Sequence, residues 1–353
     1  MRTSTSRDPD GSGRTLIYVR GWHLSGVTRW AASLKAGLAD IGHPASLLVR
    51  TVVPGVAAPA ADHDTLFEPA ATAGRIATFQ QMVRLCRRER PGHVHMVDGD
   101  IAVVLALAAT RTPRSASIHV NPTSFRARLL VFLTAVLTRR LVLLTEHQHD
   151  VVARSCHLPR RWLHVVPNAV QAPAWVRWSV ADQPVVGIVS RLVPRKGLEH
   201  LPDIATTLAR DHGLLTVVHG DGPLRADLEA CCSDCATFRG VKLDTDELYT
   251  DIDVLLILSP DEVGPTTALE AAVRGIPVVS LHQLPGVHHG LGDLALVPDR
   301  ADPALVVAAI AAARDHNAWP SPAELHQHVA ERFDRAVVAR QFVAALRLEE
   351  AIS

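Results

Sequence analysis

The feature that most constrains the fold of this chain is a repeated alternation between short apolar runs and segments with helical periodicity. Such an alternation predicts parallel strands whose sheet is covered by helices on both faces. The first half also has a Gly-rich turn after its first apolar run, at residues 21–26. The predicted strands of this half are residues 16–19, 45–53, 93–97, 115–120, 141–145 and 164–166.

The same alternation restarts in the second half of the chain. Its predicted strands are residues 185–189, 214–218, 254–258 and 277–281. At 353 residues the chain exceeds the usual size of a single core. We therefore expect an α/β protein of two doubly wound, Rossmann-like parallel-sheet domains that face each other across a cleft. Ligands of such sheets bind beyond the carboxyl ends of the strands.

The predicted boundaries follow from where the alternation pauses. Residues 1–13 are polar and are expected to form a disordered tail. The first domain spans 14–170, a linker spans 171–183, and the second domain spans 184–333. The segment 323–350 is predicted to be helical throughout, and its apolar stripe requires a surface to cover. We expect the part from 334 to 353 to pack back on the first domain.

Composition excludes several classes of function. Lysine plus arginine equals aspartate plus glutamate at 36 each, so the broad basic surface of a nucleic-acid-binding protein is absent. Five irregularly spaced cysteines and no apolar leader favour a reduced, cytoplasmic protein. One Cys-x-x-Cys pair, at residues 232–235, supplies too few ligands for structural zinc, and we expect no metal.

The most apolar segment, residues 129–138, is followed by Arg139 and Arg140. It is too short to span a bilayer, which takes about 20 residues. We expect a buried helix here, with peripheral membrane contact as the alternative.

Three segments of the second half place polar groups directly after a predicted strand. In residues 190–197, Arg191 and Lys196 lie near a helix start, where they suit a diphosphate. In residues 219–223, Gly220 and Gly222 permit close approach of a ligand, although Gly-Asp-Gly-Pro is also common turn chemistry. Taken alone, the first segment equally fits a solvated basic turn.

The third segment follows the strand at 254–258. Glu262 lies in the turn, and a helix is predicted to begin near Pro265 or Thr266. Backbone amides of Gly264, Thr266 and Thr267 would then point toward an anionic ligand. Glu270, in that helix, could accept hydrogen bonds from two vicinal hydroxyls. As single residues, the two glutamates are also explained as a helix-start charge and a surface acid.

These segments resemble the donor half of the family-4 retaining glycosyltransferases. The resemblance rests on Ser190-Arg191 to Lys196-Gly197, Gly220 to Pro223, Phe238-Arg-Gly240, Glu262 to Glu270, and Gly275 to Val279, in the order and at the spacings of that family. The first half resembles it more loosely, through residues 21–26, 42–43, 94–97, 117–119, 145–146 and 166–170.

The resemblance implies specific roles. Arg191 and Lys196 would hold the donor diphosphate, Glu262 would face the donor sugar, and Glu270 would bind the nucleotide ribose. His119 matches a histidine near the reaction centre of the family. Gly21 and Gly26 would approach the donor phosphates, although the family has adjacent glycines there, and Val263 stands where it commonly has glycine.

The implied reaction is metal-independent transfer of a hexose or N-acetylhexosamine from a nucleotide-diphosphate sugar to a hydroxyl. A UDP-sugar is the favoured donor, the acceptor is a small molecule or a glycan, and no cofactor is required. The resemblance implies front-face displacement with retention, and the first domain would bind the acceptor. The composition suggests a bacterial enzyme.

Two alternatives stay open. A sugar-nucleotide epimerase or hydrolase on the same fold would share the diphosphate site, and a non-catalytic sugar-nucleotide-binding partner subunit would keep only the binding residues. The acceptor is not decoded by any motif. Its candidate determinants are the loops at 51–74, 98–100 and 121–128, in which Asp98 and Asp100 could attract a cation and Arg126 and Arg128 an anion.

Overall fold

The computed structural model of the protein describes residues 13–22, 26–52 and 74–348. Outside these ranges lie residues 1–12 of the predicted tail, most of the loop at 51–74, residues 23–25 of the Gly-rich turn and the last residues of the predicted C-terminal helix.

The elements of the first half alternate as predicted. They are β1 (Thr15–Val19), α1 (Gly26–Asp40), β2 (Ala45–Val49), α2 (Arg75–Glu89), β3 (His93–Val97), α3 (Ile101–Ala109), β4 (Arg114–Ile118), α4 (Phe125–Thr138), β5 (Leu141–Leu143), α5 (Glu146–Ser155) and β6 (Leu163–Val165). Within the described part of the chain these strands form a six-stranded parallel sheet in the order β2-β1-β3-β4-β5-β6.

The second half repeats the plan. Its elements are β7 (Val186–Val189), α6 (Leu201–His212), β8 (Thr216–His219), α7 (Arg225–Cys231), β9 (Ala236–Gly240), α8 (Thr245–Leu248), β10 (Val254–Ile257), α9 (Thr266–Ala272), β11 (Val278–Ser280), α10 (Pro285–Leu291), β12 (Ala295–Leu296), α11 (Pro303–Asp315), α12 (Pro322–Phe333) and α13 (Arg335–Leu346). The strands form a second parallel sheet in the order β12-β11-β10-β7-β8-β9. The predicted α/β class with two parallel sheets is confirmed.

The chain divides into two compact units. One unit contains the chain up to Ala169 together with the segment that begins at Arg335, and the other runs from Val170 to Asp334. Helix α13 therefore belongs to the first unit, where it packs against α1. A Cβ on Gly37 of α1 would lie 2.2 Å from the carbonyl oxygen of Arg335, so glycine is required for this contact.

The prediction of one continuous helix over 323–350 is wrong. Asp334 has extended backbone angles (φ −55°, ψ 142°), and it separates α12 from α13. The carbonyl oxygen of Phe333 accepts a hydrogen bond from the amide of Val170 (2.8 Å), which supports the break. Periodicity could not reveal the break because both helices carry apolar residues at helical spacing and neither glycine nor proline separates them.

The second sheet is buried on both faces, and this explains its apolar strands. In β10 the side chains of Val254 and Leu256 enter one core cluster, whereas those of Leu255 and Ile257 enter the other. Successive side chains of a strand point to opposite faces, so a strand covered on both sides must be apolar throughout. The groups with site chemistry are therefore sought in the loops at the strand ends. No helix of the described ranges is both long and apolar enough to cross a membrane.

Candidate functional site at the carboxyl edge of the second sheet

The loops that follow β7 and β10 come together because these strands are parallel neighbours. Gly197 has a positive φ of 67°, and a Cβ there would lie 2.1 Å from the carbonyl oxygen of Leu258. The backbone after β7 is therefore packed directly on the backbone after β10. This contact brings Lys196 beside Glu262, and the Lys196 ammonium donates to a Glu262 carboxylate oxygen.

The Lys196–Glu262 pair is half-shielded from solvent, with side-chain exposures of 14% and 22%. An ion pair in such a setting is screened less than one on an open surface. The two residues are 66 positions apart, and each was predicted as a site residue on separate grounds. The structure brings this lysine and this glutamate together.

Arg191 begins the same basic turn. Its side chain is exposed and forms no hydrogen bond or ion pair with the described residues. Arg195, in the same turn, is also exposed. The turn therefore offers an unpaired guanidinium at Arg191 and an ammonium that already has a carboxylate partner at Lys196.

The glycines after β8 pack against the loop that contains Arg191. Gly220 has φ +141°, and a Cβ there would lie 1.8 Å from the carbonyl oxygen of Ser190. A Cβ on Gly222 would lie 2.4 Å from the carbonyl oxygen of Leu192. Their small size, which the sequence analysis linked to a ligand, is thus required by contact between two protein loops.

Helix α9 begins at Thr266 with Pro265 as its capping residue, as the sequence indicates. Gly264 precedes this cap, and Thr266 and Thr267 form the first turn. Gly286 of α10 packs closely on the turn before α9. A Cβ at Gly286 would lie 2.4 Å from the carbonyl oxygen of Val263. The turn between Glu262 and α9 is held by this backbone contact.

Glu270 is buried, so the alternative of a surface helix acid is wrong. The hydroxyl of Tyr249, itself fully buried, donates to the Glu270 carboxylate at 3.0 Å. Arg274, one turn further along the chain, donates to the backbone carbonyl of Glu270 at 2.7 Å and pairs with Asp246. Glu270 therefore lies among polar groups that fix its position.

Tyr249, Arg274 and Asp246 were not predicted from the sequence. Arg274 lies four residues after Glu270, and residues at this spacing lie on one face of a helix. This spacing is the sequence signal that could have related Arg274 to Glu270. Its guanidinium carbon lies 5.2 Å from the centroid of the Tyr249 ring. Nothing in the sequence around Tyr249 relates it to Glu270, 21 positions away.

His219 is a second group that the sequence analysis missed. It ends β8, is buried, and shares a hydrogen bond between Nε2 and Asp251 Oδ1 at 3.0 Å. Burial lowers the pKa of His219, although Asp251 opposes that shift. This histidine anchors the strand end from which the Gly220 loop leaves.

In the first unit, His119 directly follows β4. Its Nε2 shares a hydrogen bond with Ser117 Oγ at 2.9 Å, and its ring meets the edge of Trp30 at a centroid distance of 5.0 Å. Burial lowers the pKa of His119. The imidazole is therefore neutral near pH 7. Gly21 precedes the short bridge between Trp22 and Val52, and Gly26 is the first residue of α1.

Asp100 is not a solvated acid that awaits an acceptor. It caps α3 by accepting from the amide of Ala102, and it also accepts from the Tyr18 hydroxyl at 3.0 Å and from Arg50 at 3.2 Å. This carboxylate is occupied by structural partners. Asp98 has φ +60° and is half-buried, and it remains the candidate acid of this loop.

The second unit matches a known protein family. Residues 183–315, which lie in the second unit, match the family described as Glycosyl transferases group 1. The chain is 33% identical over 189 residues to a 2-deoxystreptamine glucosyltransferase of Streptomyces kanamyceticus, and the match covers 47% of this chain and 46% of that enzyme. The chain thus spans less than half the length of that relative.

A GDP-mannose-dependent alpha-mannosyltransferase of Mycobacterium tuberculosis is 25% identical over 289 residues, with 73% of this chain and 75% of that enzyme covered. Among solved structures, HepE of Anabaena in complex with UDP and glucose superposes with a TM-score of 0.72 at 15% identity, covering 95% of this chain and 99% of that one. Sucrose-phosphate synthase of Thermosynechococcus elongatus gives 0.74 at 15% identity, with 96% and 100% covered. These superpositions identify the GT-B type of fold, and the family match lies within the second unit.

Proposed function

We propose that this protein is a retaining glycosyltransferase of family 4. It moves a hexose or an N-acetylhexosamine from a nucleotide-diphosphate sugar to a hydroxyl of a small-molecule or glycan acceptor. The observation that carries the proposal is the pairing of Lys196 with Glu262 inside the segment that matches the glycosyltransferase family. A cation for a diphosphate and an acid for sugar hydroxyls are the two groups that a donor site requires.

In this proposal the diphosphate is held by Arg191 and Lys196. The unpaired Arg191 guanidinium offers a planar fork to phosphate oxygens, and Lys196 supplies a point charge. Glu262 holds the Lys196 ammonium in place before the donor arrives. When the donor binds, the ammonium is shared with the β-phosphate, and Glu262 accepts hydrogen bonds from the sugar hydroxyls.

The chemical step breaks the bond between the anomeric carbon and the β-phosphate oxygen. The acceptor hydroxyl oxygen forms the new bond on the same face, and its proton passes to the departing phosphate oxygen. Negative charge grows on the diphosphate during this step, and fixed cations that meet such charge accelerate the reaction. Two cationic side chains supply this stabilisation in the proposal, which therefore requires no metal ion.

Glu270 is proposed to bind the nucleotide ribose. Its burial and its hydrogen bond from Tyr249 give the carboxylate a fixed orientation, which favours recognition of two vicinal hydroxyls. His119 is proposed, by resemblance, to act near the donor sugar. Its lowered pKa makes it a neutral hydrogen-bonding group at pH 7 rather than a cation.

UDP is the proposed nucleotide, in line with the UDP in the HepE complex, and GDP is its main rival because of the mycobacterial relatives. The acceptors named for two Streptomyces relatives are 2-deoxystreptamine compounds, which are cationic. A cationic acceptor would suit Asp98, since Asp100 is occupied. All five cysteines are free thiols, which supports a reducing, cytoplasmic location.

The proposal is tested by calorimetric titration of the purified protein, without metal, against UDP-, GDP-, ADP- and dTDP-sugars. We expect one nucleotide series to bind, and the double variant Arg191→Ala/Lys196→Ala to lose that binding. Arg195→Ala is the matched control, because Arg195 lies in the same turn, is exposed and has no proposed contact. Absence of binding by the whole panel would contradict the proposed donor site.

The division of roles between the two glutamates has its own test. Glu270→Ala should weaken nucleotide binding, while Glu262→Ala should mainly depress transfer and leave nucleotide binding in place. Calorimetry and initial rates on the same preparations separate these effects. Equal losses in both measurements for both variants would refute the division.

A further inference from the structure

Helix α4 has an exposed apolar face, and this face continues into a basic cavity. Its exposed apolar residues repeat along one line of the helix at Phe125, Leu129, Phe132 and Val136, and Phe125 is 79% exposed. The opposite side of the helix is buried and carries Val131, Thr134, Ala135 and Thr138. A helix that is apolar all round is normally buried on every side. The sequence analysis expected such burial here, and this expectation is wrong for one face.

Arginines flank this apolar line. At 100° per residue, Arg126 lies on one side of it and Arg128 lies on the other, and both are exposed. Leu130 and Leu133, at 38% and 39% exposure, widen the apolar strip toward the side of Arg126. An apolar centre with cations at its borders is the arrangement of helices that lie in a membrane interface.

Four more arginines surround a cavity near the C-terminal end of α4. A cavity of about 480 Å³ opens there, lined by Arg111, Arg114, Arg139 and Arg140 and bordered by Val136 of the apolar line. Arg114 donates only to backbone carbonyls, those of Leu107, Thr112 and Leu137. None of the four arginines forms an ion pair with a residue in the described ranges.

Charge is strongly asymmetric in this part of the chain. Residues 101–145 contain Arg111, Arg114, Arg126, Arg128, Arg139 and Arg140 and neither aspartate nor glutamate, although the whole chain is balanced at 36 charges of each sign. This segment is therefore locally basic in a protein that is neutral as a whole. Its six positive charges favour an anionic neighbour.

We propose that the face formed by Phe125, Leu129, Phe132 and Val136, together with the four-arginine cavity, docks this protein on an anionic lipid bilayer. The aromatic and aliphatic side chains would enter the headgroup and acyl boundary, and the cavity would receive phosphate-bearing headgroups. The helix lies along the surface and does not cross it, because its 14 residues are too few to span a bilayer.

A second copy of this chain is a weaker occupant. In a symmetric dimer the same patch meets itself, so the basic borders of both copies would be brought together with no acid in residues 101–145 to neutralise them. An anionic bilayer covers the apolar line and neutralises the arginines at once. The proposal rests on this surface alone and is independent of the donor site.

The test is flotation of the full-length protein with vesicles, without substrate, in two salt concentrations. One vesicle is phosphatidylcholine, and the other contains roughly one-third phosphatidylglycerol, since anionic lipid attracts each surface arginine with about a fivefold gain in partitioning. We expect binding to the anionic vesicle only, weakened by salt. Phe125→Ser/Phe132→Ser and Arg139→Gln/Arg140→Gln should each lower it by about tenfold or more.

Matched controls use exposed residues elsewhere. Leu215→Ser/Leu243→Ser removes two apolar side chains of 67% and 68% exposure from the second unit, and Arg84→Gln/Arg87→Gln removes two exposed arginines from α2. Both should leave vesicle binding unchanged, and thermal unfolding monitors the fold of every variant. Absence of binding to anionic vesicles would overturn the proposal, as would equal losses in controls and α4 variants. A dimer in sedimentation that Phe125→Ser/Phe132→Ser converts to monomers, without vesicle binding, would identify a second copy as the occupant instead.

Discussion

Charged residues at strand ends make different contacts in the two units. In the second unit, Lys196 and Glu262 meet through loops that pack together at glycines, and the exposed Arg191 side chain has no partner among the described residues. In the first unit, the Asp100 carboxylate accepts hydrogen bonds from Ala102, Tyr18 and Arg50. The His119 ring is buried against Trp30. The Asp100 carboxylate is thus fully engaged by structural partners, whereas Lys196 and Glu262 are engaged by each other.

The position of a charged residue directly after a strand is therefore insufficient to assign it a functional role. In the second unit, backbone contacts at glycines join the loops, so no charged side chain is needed to join them.

The largest effect is expected from the cation of the paired site. Lys196→Ala should lower kcat/KM by about a thousandfold, the loss seen when a fixed group that stabilises transition-state charge is removed. Arg195→Ala, in the same turn, should change the rate by less than about threefold, since it removes an exposed side chain without a proposed contact. Steady-state kinetics of both variants checks this. Similar rates for the two variants would show that the turn is only a solvated basic segment.

The next effect concerns the glycine that joins the two loops. Gly197 and Gly213 have the same φ of 67°, but a Cβ at Gly197 would overlap the carbonyl of Leu258, whereas a Cβ at Gly213 has nothing within 4 Å. Gly213→Ala should cost about 1 to 2 kcal/mol of unfolding free energy from backbone strain alone. Gly197→Ala should cost about 2 kcal/mol more from the overlap.

Denaturant unfolding of both alanine variants measures this difference, and activity of the folded fraction reports on the Lys196–Glu262 pair. Gly197→Ala should lose activity even where it is folded, whereas Gly213→Ala should keep it. Equal unfolding free energies would contradict the close loop contact.

A smaller effect is expected from the structural acid of the first unit. Asp100→Ala removes a helix cap and leaves Arg50 without its carboxylate, which should cost about 2 kcal/mol of stability. Asp98→Ala should cost less, about 1 kcal/mol, because alanine tolerates the left-handed φ of 60° less well than aspartate does. Thermal unfolding compares the two. If Asp98→Ala loses less stability than Asp100→Ala but changes the acceptor KM, Asp98 is the acid that contacts the acceptor.

A further effect is a pH dependence concentrated in the first unit. Burial lowers the pKa of His95 and His119, and it lowers the pKa of His93 to about 3. The folded state then binds fewer protons than the unfolded state below the ordinary histidine pKa of about 6.5, so stability is full above that pH and falls as pH decreases from about 6.5 toward 3. Hydrogen exchange at a series of pH values should show earlier loss of protection in β3 and β4 than in β10. The reverse order would contradict this account.

Much of the fold was predictable because its strands are buried on both faces. The strand at 93–97 was predicted residue for residue, and the start of α9 was predicted correctly at Pro265 or Thr266. Strands β9 and β12 were not predicted, since β9 alternates between half-buried and exposed residues and β12 has two residues. Apolar continuity is the signal, and it fades at edge strands.

The candidate site was predictable as a set of residues but not as a set of contacts. Arg191, Lys196, Glu262 and Glu270 stood out by type and spacing. Three contacts depend on the sheet order, which no local sequence pattern contains. They are the Lys196–Glu262 pair, the contact of buried Glu270 with Tyr249, and the packing of loops at Gly220. These contacts are tertiary.

The central claim is that the donor is bound by the second unit. Hydrogen exchange with mass spectrometry, with and without the nucleotide sugar that binds in calorimetry, tests it most directly. The account predicts added protection in residues 190–197, 219–223 and 259–270. Protection confined to the first unit, with these three loops unchanged, would contradict it.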